Sequence, residues 1–218
     1  SPNAETRPTQ PVPTPPTTPT VDKETLIPSL LPEERPDFEL LWRVYDPTKI
    51  QYDRRYQLEF VPKGFFSRLM IRILHHVDDV AVYWRNGLIA SRGQDMFLLE
   101  MKPGEASLFL SVRGPRRSPP TETLRMCVET VDVLIGLNNW FNIKVDKFVP
   151  CAHCIESQAP ESQIWQFPLT YLADLASRGV WVAECESNAQ MKKSVQLNRL
   201  VPDLALADLE RVKIPYES

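Results

Sequence analysis

Glycine is scarce in this chain, with seven in 218 residues. Phosphate-binding loops use closely spaced glycines to bring backbone N–H groups against phosphate, and neither G-x-x-x-x-G-K-[ST] nor G-x-G-x-x-G occurs. Histidine is scarcer, limited to His75, His76 and His153, and there is no H-E-x-x-H or G-x-S-x-G. No Ser or Cys stands in a recognisable setting of base and orienter, so nothing points to catalysis by this segment. The four cysteines, Cys127, Cys151, Cys154 and Cys185, are not spaced like a secreted disulfide scaffold, which leaves reduced thiols or a metal site. No apolar run approaches the roughly 20 residues of a membrane-spanning helix, and no signal-peptide pattern opens the chain. A cytoplasmic protein is therefore expected. With net charge −3, 24% charged residues and a pI of 5.7, no global field favours nucleic acid or an anionic membrane.

What is present is 43% hydrophobic residues, enough for one domain or two small ones sharing a core. Proline is plentiful, and seven of the 21 lie in "SPNAETRPTQPVPTPPTTPT". That stretch holds too little apolar surface to offset its ordering entropy, so residues 1–24 read as an extended linker. An SH3-type ligand is the alternative. A linker in first position implies a segment upstream, and the chain reads as a piece of a larger protein.

Beyond Leu26 the character changes. "LIPSLLPEERP" is a short apolar run between prolines, and "FELLWRVYD" follows as strand or short helix. "YQLEF" puts Tyr56, Leu58 and Phe60 on one face of a half-buried strand. After Pro62-Lys63-Gly64, the residues Phe65, Phe66, Leu69, Met70, Ile73 and Leu74 form one helical stripe, with Arg68, Arg72 and His75 on the neighbouring ridge. "VAVYWRNGLIAS", with a type I′ hairpin signal at Asn86-Gly87, "MFLLEM" and "SLFLSVRG" then read as a β-meander.

A basic loop leads to a helix with Ser118 as N-cap and Pro119 at its first position. Its apolar face is Leu124, Val128, Val131, Leu134, Ile135 and Leu137, and it should end near Trp140-Phe141. "IKVDKFV" is a strand before "PCAHC", "FPLTYLADLASRG" a helix closed by Gly179, and "VWVAEC" another strand. The order predicts an α+β fold, a mainly antiparallel sheet with packed helices.

One pattern suggests metal. Cys151-x-x-Cys154 can aim two thiolates at one ion, Cys185 follows about thirty residues later, and His153 lies between the pair. A second Cys-x-x-Cys is absent. The fourth ligand would be His153, awkwardly beside its neighbour, or His75, His76 or water; small buried thiols are the plainer reading.

In order, "VPKGFFSRLMIRIL", "VYWRNGLI", a helix ending "NNWF", and "LNRLVPDLALADLE" resemble the C-terminal half of the COR domain of Roco proteins, the family that includes the leucine-rich repeat kinases. The resemblance runs from about Leu26 to the C-terminus, over residues 25–200 as a COR-B subdomain. It rests on Pro62-x-Gly64-Phe65, Ser67-Arg68-Leu69, Tyr83-Trp84-Arg85-x-Gly87, Pro202-Asp203-Leu204 and Ala207-Asp208-Leu209. "PCAHC" and Cys185 look like the amoebal and other protist Roco kinases more than the vertebrate ones. "RVKIPYES" resembles the approach to a kinase N-lobe, so residues 201–218 would be a linker into a protein kinase domain that this chain does not contain.

The resemblance implies a coupling and dimerisation module that passes the state of a Roc GTPase domain to a Ser/Thr kinase domain or a second protomer. Both partner domains would lie in cis. GTP and ATP with Mg²⁺ would bind only in those neighbouring domains, leaving structural zinc as the one cofactor to consider here. Phe65, Arg68 and Arg72 would form one contact surface, with the arginines offering bidentate contacts to carboxylates. The same stripe and ridge can equally be core and solvated face. Tyr83, Trp84 and Arg85 combine interface-type residues, although an inward Trp is as good a core residue. The helix at 168–178 corresponds by order to one that in leucine-rich repeat kinases lies against the kinase N-lobe, with Tyr171, Asp174 and Arg178 as its polar ridge. The rival readings are a free-standing zinc-stabilised interaction domain and a single-stranded nucleic-acid-binding sheet using "YWRNG" and "RGPRRS".

Overall fold

The computed structural model describes residues 30–38, 42, 46–137, 143–187 and 192–203. Its longest strand, β1 (Lys49–Leu58), alternates strictly between buried and half-buried positions, as a strand buried on one face must. Four strands then form an antiparallel meander: β2 (Asp79–Trp84), β3 (Gly87–Arg92), β4 (Asp95–Lys102) and β5 (Ser107–Pro115). β1 pairs with β5 on one edge and with β6 (Val145–Pro150) on the other, and β7 (Gln166–Pro168) completes the order β2-β3-β4-β5-β1-β6-β7. The expected α+β class with a mainly antiparallel sheet is what the chain adopts.

Two helices cover one face. α1 (Phe65–Leu74) buries all six residues of its expected stripe, and α2 (Thr121–Leu137) adds Leu124, Cys127, Val131 and Leu134. They meet Tyr52 and Tyr56 of β1, Leu110 and Val112 of β5, and Phe97 and Leu99 of β4. Leu69 and Ile73 are fully buried, so truncating either to Ala should cost about 2–5 kcal/mol. Gly64, at φ 74°, supplies the left-handed residue from which α1 starts, and its carbonyl accepts from the Arg68 N–H.

Several local expectations shift. β1 ends at Leu58 and the chain bends away, leaving Phe60 42% exposed instead of on the buried face. The β2–β3 hairpin is present, but Trp84 pairs with Gly87, so its turn residues are Arg85 and Asn86. Among the described residues, positive φ outside glycine occurs at Ala106 and Gln158, and the type I′ expectation fails because that turn needs positive φ at both central residues. Gly87 serves packing instead: a Cβ there would lie 2.0 Å from the indole of Trp84. α2 begins at Thr121, after Ser118 and both prolines, with the Leu124 N–H returning to the Pro120 carbonyl. Its expected end near Trp140-Phe141 lies outside the described residues. So does most of "FELLWRVYD", of which Trp42 is helical and donates its N–H to the Phe38 carbonyl.

The C-terminal part builds a second, smaller core. α3 (Ala152–Glu156) follows β6, and α4 (Leu169–Ser177) packs against β6, β7 and a separate two-stranded sheet, β8 (Val182–Cys185) with β9 (Lys193–Gln196). The Gly179 N–H returns to the Ala176 carbonyl at the end of α4. α5 (Leu197–Leu200) then lies against β9 and β1, bringing the chain back to the first strand.

Candidate coupling site

Where the two cores meet, an arginine occupies a position that strand parity reserves for the interior. In β1, Tyr52, Arg54, Tyr56 and Leu58 all point toward the helix-covered face, and Arg54 is only 4% exposed. A guanidinium there must be fully paired, because it keeps its charge at any ordinary pH. It donates to the Asp53 carbonyl and to the Leu200 carbonyl, each at 2.8 Å, and to the carboxylate of Asp203. Burial raises the hydroxyl pKa of both flanking tyrosines, Tyr52 and Tyr56, so neither offers an anion. Asp203 supplies the charge. Strand β1 is thereby fastened to the last described turn of the chain. Residues 201–203, expected to open a linker, belong to this folded unit, since Val201 is 5% exposed.

The sequence signal of the clasp is in "QYDRRYQL": an arginine at the inward parity between two tyrosines. Nothing in Pro202-Asp203-Leu204 marks Asp203 as its partner.

The opposite face of the sheet is polar along β1 and β5. Arg113 donates to Gln51 at 2.7 Å, Gln51 to Asp53 at 2.8 Å, and Ser111 to the same Asp53 oxygen. Burial outweighs these bonds and holds the Asp53 carboxyl above its ordinary pKa. Beside this ladder, Trp42, Arg113, Glu156 and Ile164 help to line a groove of about 640 Å³. On β3 and β4 the same face is apolar, where Phe38 and Trp42 pack with Trp84, Ile89 and Leu98.

The residues expected at an interface divide. Phe65 and Trp84, each 2% exposed, are core residues and leave the surface set. The stripe and the hairpin place them inward, and Trp84 is equally withdrawn from stacking on a base. Tyr83 is half-buried against the main core. Arg85 is exposed but pairs with Glu33 within the chain. Arg68 and Arg72 are exposed on α1, and neither meets a carboxylate among the described residues. On α4, Asp174 and Arg178 pair with each other at 2.8 Å, and Tyr171 is 41% exposed while stacking on Phe167 at 6.5 Å. Trp181, 60% exposed between Val180 and Val182, was not singled out in the sequence.

The expected thiols converge: the sulfurs of Cys151, Cys154 and Cys185 lie within 4.8 Å of one another, all buried. Burial pushes Cys151 up to about 12. For Cys154 burial also acts upward, but hydrogen bonds with Ser187, the Trp165 backbone and the two neighbouring thiols outweigh it and lower the pKa. His153 does not join them, because its Nε2 lies 2.8 Å from the Lys193 ammonium on the outside. His75 and His76 are exposed at the end of α1 and are not part of the cluster.

A family model described as C-terminal of Roc, COR-B domain, matches residues 49–203, which include both partners of the clasp. The chain belongs to the COR-B family. Among curated proteins of Dictyostelium discoideum, the chain is 38% identical over 194 residues to the probable serine/threonine-protein kinase pats1, covering 88% of this chain and 6% of that protein. It is 34% identical over 205 residues to the probable serine/threonine-protein kinase roco6, covering 86% of this chain and 9% of that one. Cyclic GMP-binding protein C is 22% identical over 197 residues, covering 87% of this chain and 7% of its own length. This COR-B chain thus spans less than a tenth of these relatives, and its affinity to amoebal Roco proteins is as its thiols suggested. Among its described residues, no helix is long and apolar enough to cross a membrane.

Proposed function

We infer that this COR-B chain is the non-catalytic coupling module of a Roco protein, passing the state of a Roc GTPase domain to a Ser/Thr kinase domain in the same chain or to a second protomer. The observation that carries the reading is the clasp. Arg54 ties β1, an interior strand of the sheet paired on both edges, to Leu200 and Asp203, and in Roco kinases the segment after this motif leads to the kinase. A displacement felt by the sheet therefore reaches that segment through a buried charge pair, which resists gradual stretching and favours discrete arrangements. Arg68 and Arg72 on α1, which meet no carboxylate among the described residues, offer guanidinium groups to a facing carboxylate surface. Tyr171, on the helix that by order would face a kinase N-lobe, offers an aromatic anchor, and Trp181 before β8 is a second exposed aromatic.

The test uses the parent protein. Sequencing outward from both ends of the segment should find a P-loop upstream and a Gly-rich loop with its lysine downstream; without either, nothing would be coupled. In that parent, amide exchange across β1 and 197–203 should differ between the GDP-loaded and GTP-analogue-loaded states. Arg54→Met combined with Asp203→Leu, which removes the clasp and leaves no uncompensated charge, should leave basal kinase activity in place and remove its dependence on nucleotide. Identical exchange in the two states would overturn the reading.

A further inference from the structure

Cys151 is the N-cap of α3 and Cys154 lies in its body, while Cys185 comes from the end of β8, about thirty residues later. Each is 2% exposed or less. Cys154 and Cys185 have sulfurs 3.5 Å apart, and all three sulfurs lie within 4.8 Å of one another. Thiolates bound to one tetrahedral zinc at about 2.3 Å stand about 3.8 Å from each other, and the observed span brackets that value. A disulfide joins two sulfurs and gives no reason for a third to converge on them. Burial of small thiols as packing gives none for any of them to converge.

The surroundings supply a structural reason for an ion. The β8–β9 hairpin forms a sheet of its own, and a two-stranded sheet depends for its stability on what packs against it, here the side chains of the second core. Cys185 sits where a bond to Cys151 and Cys154 would fasten β8 to β6 and α3.

We propose that Cys151, Cys154 and Cys185 bind one zinc ion as thiolates, with the fourth position taken by water or by the hydroxyl of Ser187, whose Oγ lies 3.2 Å from the Cys185 sulfur. Binding replaces three thiol protons, which leave to solvent, and no oxidant or reductant takes part. His153, turned toward Lys193, is not a ligand. The site is structural, and it is independent of the coupling reading.

The test uses the full chain, produced without a histidine tag. Metal analysis should find one zinc per chain, and replacement by Co²⁺ should give thiolate-to-cobalt charge-transfer absorption. Chelation should lower the melting temperature and expose three thiols to alkylation. Cys127→Ala, in the other core, should retain the zinc, and Cys185→Ser should lose it. If Cys185→Ser does not fold, the wild-type chelation and thiol count decide alone. A chain that binds neither Zn²⁺ nor Co²⁺, thiols equally reactive with and without chelator, or a Cys154–Cys185 disulfide in non-reducing peptide maps would each overturn the proposal.

Discussion

The guanidinium of Arg54 donates to the carboxylate of Asp203, 149 residues later, with both side chains nearly closed to solvent. Each is the other's answer to burial.

Removing one partner should therefore cost more than the pair itself contributes. Arg54→Met leaves the largely enclosed Asp203 carboxylate without its cation and should destabilise the fold by at most the roughly 3–5 kcal/mol of a fully buried pair. Arg54→Met combined with Asp203→Leu should recover much of that loss, because no uncompensated charge remains. Urea unfolding at constant m-value measures both. An Arg54→Met variant as stable as the native chain would show that the clasp is not closed in solution.

Gly87 and Trp84 form a second tight relationship. Gly87→Ala drives a methyl into the indole and should cost about 1–3 kcal/mol, whereas Trp84→Ala should cost about 3–5 kcal/mol by emptying its site. The Gly87→Ala penalty should shrink on a Trp84→Leu background. Equal penalties on both backgrounds in thermal melts would mean that the ring does not lie over the glycine.

Asp53 gives a pH signature. Burial raises its carboxyl pKa in the folded state, so the folded chain holds this proton more tightly than the unfolded one. The favourable contribution is complete below the unfolded value of about 3.9 and is lost as pH rises through the raised folded value. Asp53→Asn keeps the acceptor oxygen for Ser111 and Gln51 and should stabilise the chain at neutral pH. That advantage should vanish near pH 4. Denaturant midpoints at the two pH values test this; a constant difference between the proteins would contradict it.

Arg68→Ala with Arg72→Ala should move the melting temperature by no more than about 2 °C, as exposed substitutions do. Contact with a neighbouring domain or second protomer should weaken, as read by co-sedimentation of the separately expressed domains. A collapse of the fold would place both arginines in a structural network instead.

The local periodicities were readable because local geometry alone sets them. The α1 stripe and the meander strands follow from side-chain spacing. Asn86-Gly87 misled because the glycine answers to Trp84 across the hairpin, a contact that turn chemistry does not encode. Ser118 looked like a cap, but the two prolines after it delay the helix to Thr121. The thiol cluster was half visible: Cys-x-x-Cys is local, while the approach of Cys185 depends on how β8 and α4 return to β6. Arg54 was readable as an anomaly, a charge at inward parity, but its partner was not, since only the fold brings residue 203 to residue 54.

The position of β1 also bears on how the chain is made. Of the described strands of this domain it is made first, yet its two neighbours, β5 and β6, begin at Ser107 and Val145. The β2–β5 meander can close on itself while β1 waits, for on the order of ten seconds at ordinary rates of synthesis. A waiting strand with two open edges is a template for foreign pairing. The consecutive charges Asp53, Arg54 and Arg55 in its centre oppose that, as gatekeepers do. The arginine that later locks the finished domain thus first keeps the nascent strand from joining the wrong sheet.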